Sequence, residues 1–151
     1  MLSPIFYNAK AHIKGNSNYP NINGFVYFYK TKMGVLLTAD IWDLPLSTSK
    51  CSSRFFGFHI HEGTSCTGTL QDEFSDAKGH YNPNNCIHPF HLGDLPPLIE
   101  NNGHAYMNVL LNKFNIKNII GKVIIIHDMP DDFKTQPSGN SGNKIACGKI
   151  T

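Results

Sequence analysis

The chain has 151 residues, of which 40% are hydrophobic, and its formal net charge is +2. A charge this small, without any run of basic residues, argues against a nucleic-acid-binding protein. No stretch approaches the roughly 18 apolar residues that a membrane-spanning helix requires, so no association with a membrane is predicted. The length predicts a single domain over residues 1–151, and 13 glycines and 9 prolines predict many loops.

Short hydrophobic segments bounded by turn residues follow one another along the chain. We predict them as strands over residues 25–29, 35–42, 55–61, 106–111, 122–127 and 145–150. Their β-branched and aromatic composition and their regular spacing predict an all-β sandwich or barrel. Residues 62–104 and 128–144 are rich in Gly, Pro, Asn and Asp, and we predict them as two long loops.

Six of the eight histidines fall into three clusters. His59 and His61 lie two residues apart in one predicted strand, so their imidazoles project from the same face. His127 ends another predicted strand. Taken singly, His59 and His61 are better explained as exposed or hydrogen-bonded side chains, and His127 as a core residue whose polar groups are satisfied. His12 and His104 match no motif, and we predict surface or hydrogen-bonded positions for both.

The remaining cluster lies inside the first long loop. It consists of His80, His88, His91 and Asp94, at spacings of eight, three and three residues. Three imidazoles and one carboxylate complete a tetrahedral zinc set without an open position, as in a structural site. The strand histidines add nitrogen ligands of the kind that copper accepts. The full set is large enough for two metal ions, and a bound metal would order a loop that is unusually long for a compact domain.

Four segments resemble the copper/zinc superoxide dismutase family. They are Gly57 to Glu62, Gly79 to Pro83, His91 to Leu95 and Gly139 to Gly148, and their order along the chain is that of the family. The resemblance covers nearly the whole chain from about Ala9 onward. The short interval from His61 to Cys66, together with the segment His91 to Leu98, is more similar to the bacterial subtype than to the animal one.

The resemblance implies an antiparallel Greek-key β-sandwich that closes into a flattened eight-stranded barrel with two long functional loops. It implies conversion of superoxide to dioxygen and hydrogen peroxide, in antioxidant defence, by copper that cycles between Cu(II) and Cu(I). The implied copper ligands are His59, His61, His80 and His127, and the implied ligands of a structural zinc are His80, His88, His91 and Asp94. His80 would be shared by both metals and would act in catalysis by taking up and returning a proton.

Two further roles follow from the same resemblance. Asp131 matches an aspartate that hydrogen-bonds one histidine of each metal, although a solvated loop acid is the alternative. Lys144 stands where the family usually has an arginine at the mouth of the copper channel. Both side chains are cations that attract a small anion, but a flexible ammonium does not reproduce the fixed donors of a guanidinium. Lys134 either adds positive field nearby or is a solvated loop lysine.

The four cysteines are assigned in part by the resemblance. It implies an intrasubunit disulfide between Cys66 and Cys147. Cys51 and Cys86 do not match this pair. We favour free thiols for both, while a second bridge, or Cys86 as a competing metal ligand, stays open.

The implied partners are superoxide as the substrate and a second copy of the chain in a homodimer, while the need for a copper chaperone stays open. The aromatic run 25–29 offers either an apolar surface patch or core residues. Residues 1–6 lack the basic and apolar regions of a signal peptide. We therefore expect a cytoplasmic protein. If the protein is viral, the expected location is the host cytoplasm or the virion. The alternative is a mature form with an added Met.

Two other functions are weighed against the enzyme. One is a non-enzymatic relative that sequesters copper or its delivery partner, and Lys144 is its only support. The other is a zinc-only structural module without copper. The complete ligand set favours the enzyme over both.

Overall fold

A computed structural model describes residues 7–51 and 54–151. The strands are β1 (Ala9–Gly15), β2 (Asn23–Thr31), β3 (Gly34–Trp42), β4 (Phe55–Phe56), β5 (Phe58–His61), β6 (Leu98–Ile99), β7 (Ala105–Leu111), β8 (Val123–His127) and β9 (Lys144–Lys149). The helical segments described are a 3₁₀ turn (Ser75–Ala77) and the one-turn helix α1 (Ile116–Ile119), neither of which could cross a membrane. The residues 1–6 on which the signal-peptide prediction rests lie outside the described part of the chain.

The strands close into a barrel with Greek-key connections. Seven of them form one antiparallel sheet in the order β5-β8-β9-β1-β2-β3-β7. β4 pairs with β6, which also contacts β7. β4 and β5 are one strand interrupted at Gly57, so the two sheets together contain eight strands. β3 pairs with β7 and not with the strand that follows it in sequence, which is the Greek-key crossover. The predicted all-β Greek-key barrel is confirmed.

β1 lies outside the strands that we predicted. Its sequence, AKAHIKG, alternates small or apolar residues with polar ones, which is the period of a half-buried strand. Ala9, Ala11 and Ile13 are buried in the core, whereas the residues between them face outward. The strand is easy to miss because alanine and lysine have low β propensity. Packing between β2 and β9 determines its conformation.

The aromatic run of β2 has two faces. Val26 and Phe28 are completely buried in the core. Phe25, Tyr27 and Tyr29 are half-buried on the outer face, with neighbouring ring centroids 5.7 and 6.4 Å apart. Core burial therefore explains two of the five residues, and an outer aromatic surface accounts for the other three.

The first long loop folds back onto β5. One edge of β5 pairs with β8, and the other receives two bridges from the loop, His61 to His80 and His59 to Asp94. Gly93 permits this approach, because a Cβ at this position would lie 2.1 Å from a backbone oxygen of β5. Backbone pairing therefore brings His80 and Asp94 of the loop against the two histidines of β5.

A disulfide fastens the beginning of this loop to β9. It joins Cys66 to Cys147 across a sequence separation of 81 residues, which confirms the predicted pair. The two cysteines pack in a small apolar cluster with Phe74, Ala77, Val123 and Ile125. Cys51 and Cys86 are exposed and free, so the second bridge does not form.

Candidate metal centre

Six buried histidines and one aspartate form two groups that share a member. The first group is His59, His61, His80 and His127, and the second group is His80, His88, His91 and Asp94. Within each group, one candidate ligand atom per residue lies within 4.8 Å of all the others. All seven residues are at most 8% exposed. Because His80 belongs to both, the two groups are adjacent.

In the first group, hydrogen bonds turn two unprotonated nitrogens toward each other. His61 donates its Nδ1–H to the carbonyl of Lys78 at 2.7 Å, and His127 donates its Nδ1–H to the carbonyl of Gly142 at 3.4 Å. Since a carbonyl can only accept, the Nε2 atoms of these neutral rings carry lone pairs. These two Nε2 atoms lie 3.3 Å apart. Facing lone pairs repel each other, and a cation that binds both would remove the repulsion.

The carbonyl of Lys78 reaches His61 through an unusual backbone conformation. Lys78 has φ 61° and ψ −152°, a combination that glycine adopts far more readily than other residues. Its own N–H is bonded to the carbonyl of Ser75, at the 3₁₀ turn. Such a conformation costs on the order of 1–3 kcal/mol and persists only where the surroundings fix it. The turn therefore determines the orientation of His61.

Asp131 links the two groups. Its Oδ2 accepts the Nε2–H of His59 at 2.7 Å, and its Oδ1 accepts the Nε2–H of His88 at 2.9 Å. The opposite nitrogen, Nδ1, of both rings is buried without a hydrogen-bond partner among the described residues. Gly139, at φ +69°, lies directly against the carboxylate, since a Cβ there would be 2.0 Å from Oδ1 of Asp131. One carboxylate thus sets the tautomer of a histidine in each group.

The ring of His80 presents one nitrogen to each group. Its Nδ1 lies 2.8 Å from Oδ1 of Asp94, whereas its buried Nε2 has no partner among the described residues. Nδ1 of His88 and Nδ1 of His91 approach the same carboxylate at 3.2 and 3.3 Å, without the geometry of a hydrogen bond. The second group therefore converges on the carboxylate of Asp94.

These donors fit two metal ions. Four buried ring nitrogens lack partners in the described part of the chain: Nδ1 of His59, His88 and His91, and Nε2 of His80. Buried polar atoms without partners are rare in native proteins, because each costs about 1–3 kcal/mol. One metal ion in each group would satisfy all four. A set of four imidazoles suits copper, and three imidazoles with one carboxylate suit a closed zinc site.

Burial keeps His59, His61 and His127 neutral, and hydrogen bonding keeps Asp94 and Asp131 ionised. Burial lowers the pKa of His59 to about 4 and that of His127 to about 3, and it lowers the pKa of His61 well below 6.5. Burial opposes ionisation of Asp131 and Asp94, but hydrogen bonds from histidines outweigh it and lower the pKa of both carboxyls. Neutral imidazoles and ionised carboxylates are the required ligand forms.

The metal-free protein should lose stability as the pH falls below about 6.5. His59 and His127 stay neutral in the folded chain down to about pH 4 and about pH 3, but take up protons below 6.5 once unfolded. The unfolded state then binds more protons, so the free energy of unfolding decreases by about 1.4 kcal/mol per pH unit for each histidine. Urea titrations between pH 7 and 4 measure this slope. His127→Gln should reduce this slope by about one proton relative to the parent, and an unchanged slope in this variant would contradict the assignment.

A cavity of about 900 Å³ gives solvent access to the first group. Its wall includes His61, His80 and His127 and, nearer to the solvent, Lys144. The ammonium of Lys144 is not free: it donates a hydrogen bond to Oδ2 of Asp72. The expected cation therefore lines the cavity, but as one half of an ion pair.

Three other candidates from the sequence lie apart from both groups. His12 donates from Nε2 to Oδ1 of Asn23 at 2.7 Å, and His104 donates from Nε2 to Oδ1 of Asp40 at 2.8 Å. These are the surface, hydrogen-bonded positions predicted for them. Lys134 is exposed and is not among the described residues that line the cavity.

Some contacts of the site had no signal in the sequence. The carbonyls of Lys78 and Gly142 orient two histidines. Every residue type has a backbone carbonyl, so the sequence does not indicate which ones take this role. Asp72 precedes Lys144 by 72 residues and belongs to none of the four segments that carry the family resemblance. Only the folded chain brings these groups to the cavity.

Comparison with known proteins identifies the family. The family model for copper/zinc superoxide dismutase matches residues 22–150. The second Cu-Zn superoxide dismutase of Aquifex aeolicus is 31% identical and aligns over 95% of this chain and 87% of its own. The Cu-Zn superoxide dismutase of Legionella pneumophila is 33% identical over 84% of this chain and 76% of its own. The crystal structure of a superoxide-dismutase-like protein from Bacillus subtilis superposes with a TM-score of 0.75 at 28% identity, covering 95% of this chain and 98% of that one. The chain belongs to the copper/zinc superoxide dismutase family of oxidoreductases.

Proposed function

We propose that the protein dismutes superoxide: two superoxide anions and two protons become dioxygen and hydrogen peroxide, as part of antioxidant defence. The observation that carries the proposal is the pair of complete ligand groups joined at His80. Copper in the first group would supply the one-electron redox couple that the reaction needs, and zinc in the second would be structural. The proposed donor atoms for copper are Nδ1 of His59 and Nε2 of His61, His80 and His127, and those for zinc are Nδ1 of His80, His88 and His91 with a carboxylate oxygen of Asp94.

His80 is proposed as the catalytic proton carrier. His80 lines the cavity, and its Nδ1 is held on the side of Asp94, so its Nε2 faces the first group. A proton on Nε2 is therefore on the side of the first group, where it would be transferred to a reduced oxygen species formed there. Placing an acid within hydrogen-bond reach of the reacting atom is the usual requirement for such a transfer.

Asp131 and Lys144 are proposed to support this chemistry in two different ways. Asp131 holds His59 and His88 with their Nδ1 atoms toward the two groups, and loss of a partner of this kind costs about 10–100-fold in metal affinity or activity. Lys144 provides a cation in the cavity wall for an anionic substrate. The residues of the chain thus orient the ligands, deliver a proton and attract the anion.

The proposal extends to partners and location. Following the family resemblance, we propose a homodimer, for which the outer aromatic surface of Phe25, Tyr27 and Tyr29 offers apolar area. Superoxide is the proposed substrate, and the cytoplasm is the proposed location.

A non-enzymatic copper-binding relative is the second candidate. The ion pair of Lys144 with Asp72 favours it, because a neutralised cation attracts an anion less. The complete first group, open to a cavity, favours the enzyme.

Two measurements test the proposal: the rate of superoxide consumption and the metal content of the same protein. We expect one copper and one zinc per chain, and consumption of superoxide that His127→Ala abolishes while zinc is retained. Both metals without consumption would establish the non-enzymatic relative, and zinc alone would establish a structural module.

A further inference from the structure

The ion pair between Lys144 and Asp72 lies at the entrance of the cavity. Nζ of Lys144 donates to Oδ2 of Asp72, and the two side chains are 18% and 41% exposed. Lys144 begins β9, three residues before the disulfide cysteine Cys147, whereas Asp72 belongs to the first long loop. The pair is therefore a second link, next to the disulfide, between that loop and β9.

The carboxylate of Asp72 is held in place by its own loop. Its Oδ1 accepts the N–H of Phe74 at 3.0 Å, and its backbone N–H donates to Oγ1 of Thr69 at 3.1 Å. Its carbonyl accepts the N–H of Ser75, in the 3₁₀ turn. Phe74 is buried in the apolar cluster around the disulfide. A carboxylate fixed in this way determines where the flexible side chain of Lys144 comes to rest.

Acidic groups outnumber basic ones around the cavity. Its described lining contains the ammonium groups of Lys78 and Lys144 and the carboxylates of Asp72, Glu73 and Asp128. These side chains alone carry a net negative charge, and one of the two ammonium groups is already paired, so bound metal ions would supply most of the attraction for an anion. Opposite charges in contact present a dipole to a distant anion, and the field of a dipole decays faster than that of a free charge.

We propose that Asp72 is a positioning residue for Lys144: it holds the ammonium at the cavity wall and weakens the attraction of this cation for superoxide. The proposal rests on the proposed function for its substrate, but the ion pair itself can be tested without enzyme activity. Asp72 belongs to neither ligand group, yet it would determine how strongly the cavity attracts anions.

The charge balance predicts the behaviour of a double-mutant cycle. Asp72→Asn removes one negative charge and frees Lys144, so superoxide consumption at low ionic strength should rise about two- to fivefold and fall more steeply with salt. Lys144→Ala leaves the carboxylate unpaired and should lower consumption by a similar factor. The double variant restores the net charge of the parent cavity but lacks the cation, so its rate should lie between those of the two single variants. Metal content is measured in every variant.

Two readouts do not depend on turnover. The Lys144 amine should be acetylated several times faster in Asp72→Asn than in the parent, measured by mass spectrometry with Lys78 as the internal reference, because the reagent needs an amine released from its partner. Azide, a small anion, should bind the copper-loaded variant about two- to fivefold more tightly in an absorbance titration. Asp76→Asn removes the same charge from the same loop, outside the described cavity lining, and should change neither readout.

The outcomes separate the two proposals. A parent without superoxide consumption would overturn the proposed function, while acetylation and azide binding would still decide the role of Asp72. Equal acetylation of Lys144 in parent and Asp72→Asn would show that the carboxylate does not hold the amine. Suppose that Asp72→Asn, with full metal content, has an unchanged or lower rate and an unchanged azide affinity. Asp72 then does not weaken the attraction of anions, and the proposal would be wrong.

Discussion

Replacing His80 with alanine is expected to weaken both metal sites at once. The ring directs Nδ1 to the second group and Nε2 to the first, so its removal takes one donor from each. Loss of a residue that only orients a ligand costs about 10–100-fold, and loss of a shared ligand should cost more than that. We expect superoxide consumption to fall by more than about 100-fold, and both copper and zinc to be recovered in less than stoichiometric amounts after dialysis.

Single-group variants are the matched controls. His59→Ala removes a donor from the first group alone and should lower copper content while zinc is largely retained. His88→Ala removes a donor from the second group alone and should show the reverse. If His80→Ala kept both metals with unchanged copper spectra, the shared ligand assignment would be wrong.

Loss of the disulfide is expected to give the largest change in stability. In the loop-entropy treatment, a link across 81 residues stabilises the folded state by about 4–5 kcal/mol, because it restricts the unfolded chain. Cys66→Ser should therefore lower the free energy of unfolding by an amount of this order. Cys66 is the better site to change, since Cys147 is buried in the apolar cluster and its replacement would also disturb packing.

Urea denaturation of the parent, Cys66→Ser and Cys86→Ser measures this effect. Cys86 is exposed and free, so its variant should unfold at the urea concentration of the parent. Reduction of the parent should reproduce the loss seen in Cys66→Ser. Equal stability of all three proteins would mean that the link contributes nothing to the folded state, and the predicted value would be wrong.

The sequence predicted the site best where residues that can bind a metal also follow the alternating pattern of a strand. His59 and His61 alternate with apolar residues in a strand, and the structure buries both faces of that strand, one in the core and one in the first group. β1 was missed because alanine and lysine are weak strand formers, although Ala9 and Ala11 do alternate with polar residues. Tertiary packing, and not local propensity, makes that segment a strand.

The remaining features depend on contacts between distant parts of the chain. Family resemblance predicted that His80 and Asp94 belong to one site, but the reason they arrive there is backbone pairing of their loop with the open edge of β5. The ion pair of Lys144 with Asp72 was not predicted: the sequence indicated a flexible ammonium at this position, and the structure pairs it with a carboxylate. The sequence around Asp72 does not indicate its partner, because Lys144 comes next to it only in the folded, disulfide-linked chain.

With copper bound beside a zinc site, the first group is expected to remove superoxide. The most direct measurement is the decay of a pulse of superoxide, followed by absorbance, with the metal-loaded parent and with His127→Ala matched for zinc content. We expect decay that accelerates in proportion to the concentration of copper-loaded parent, and no acceleration above background with the variant. Background decay with a parent that holds one copper and one zinc per chain would contradict it.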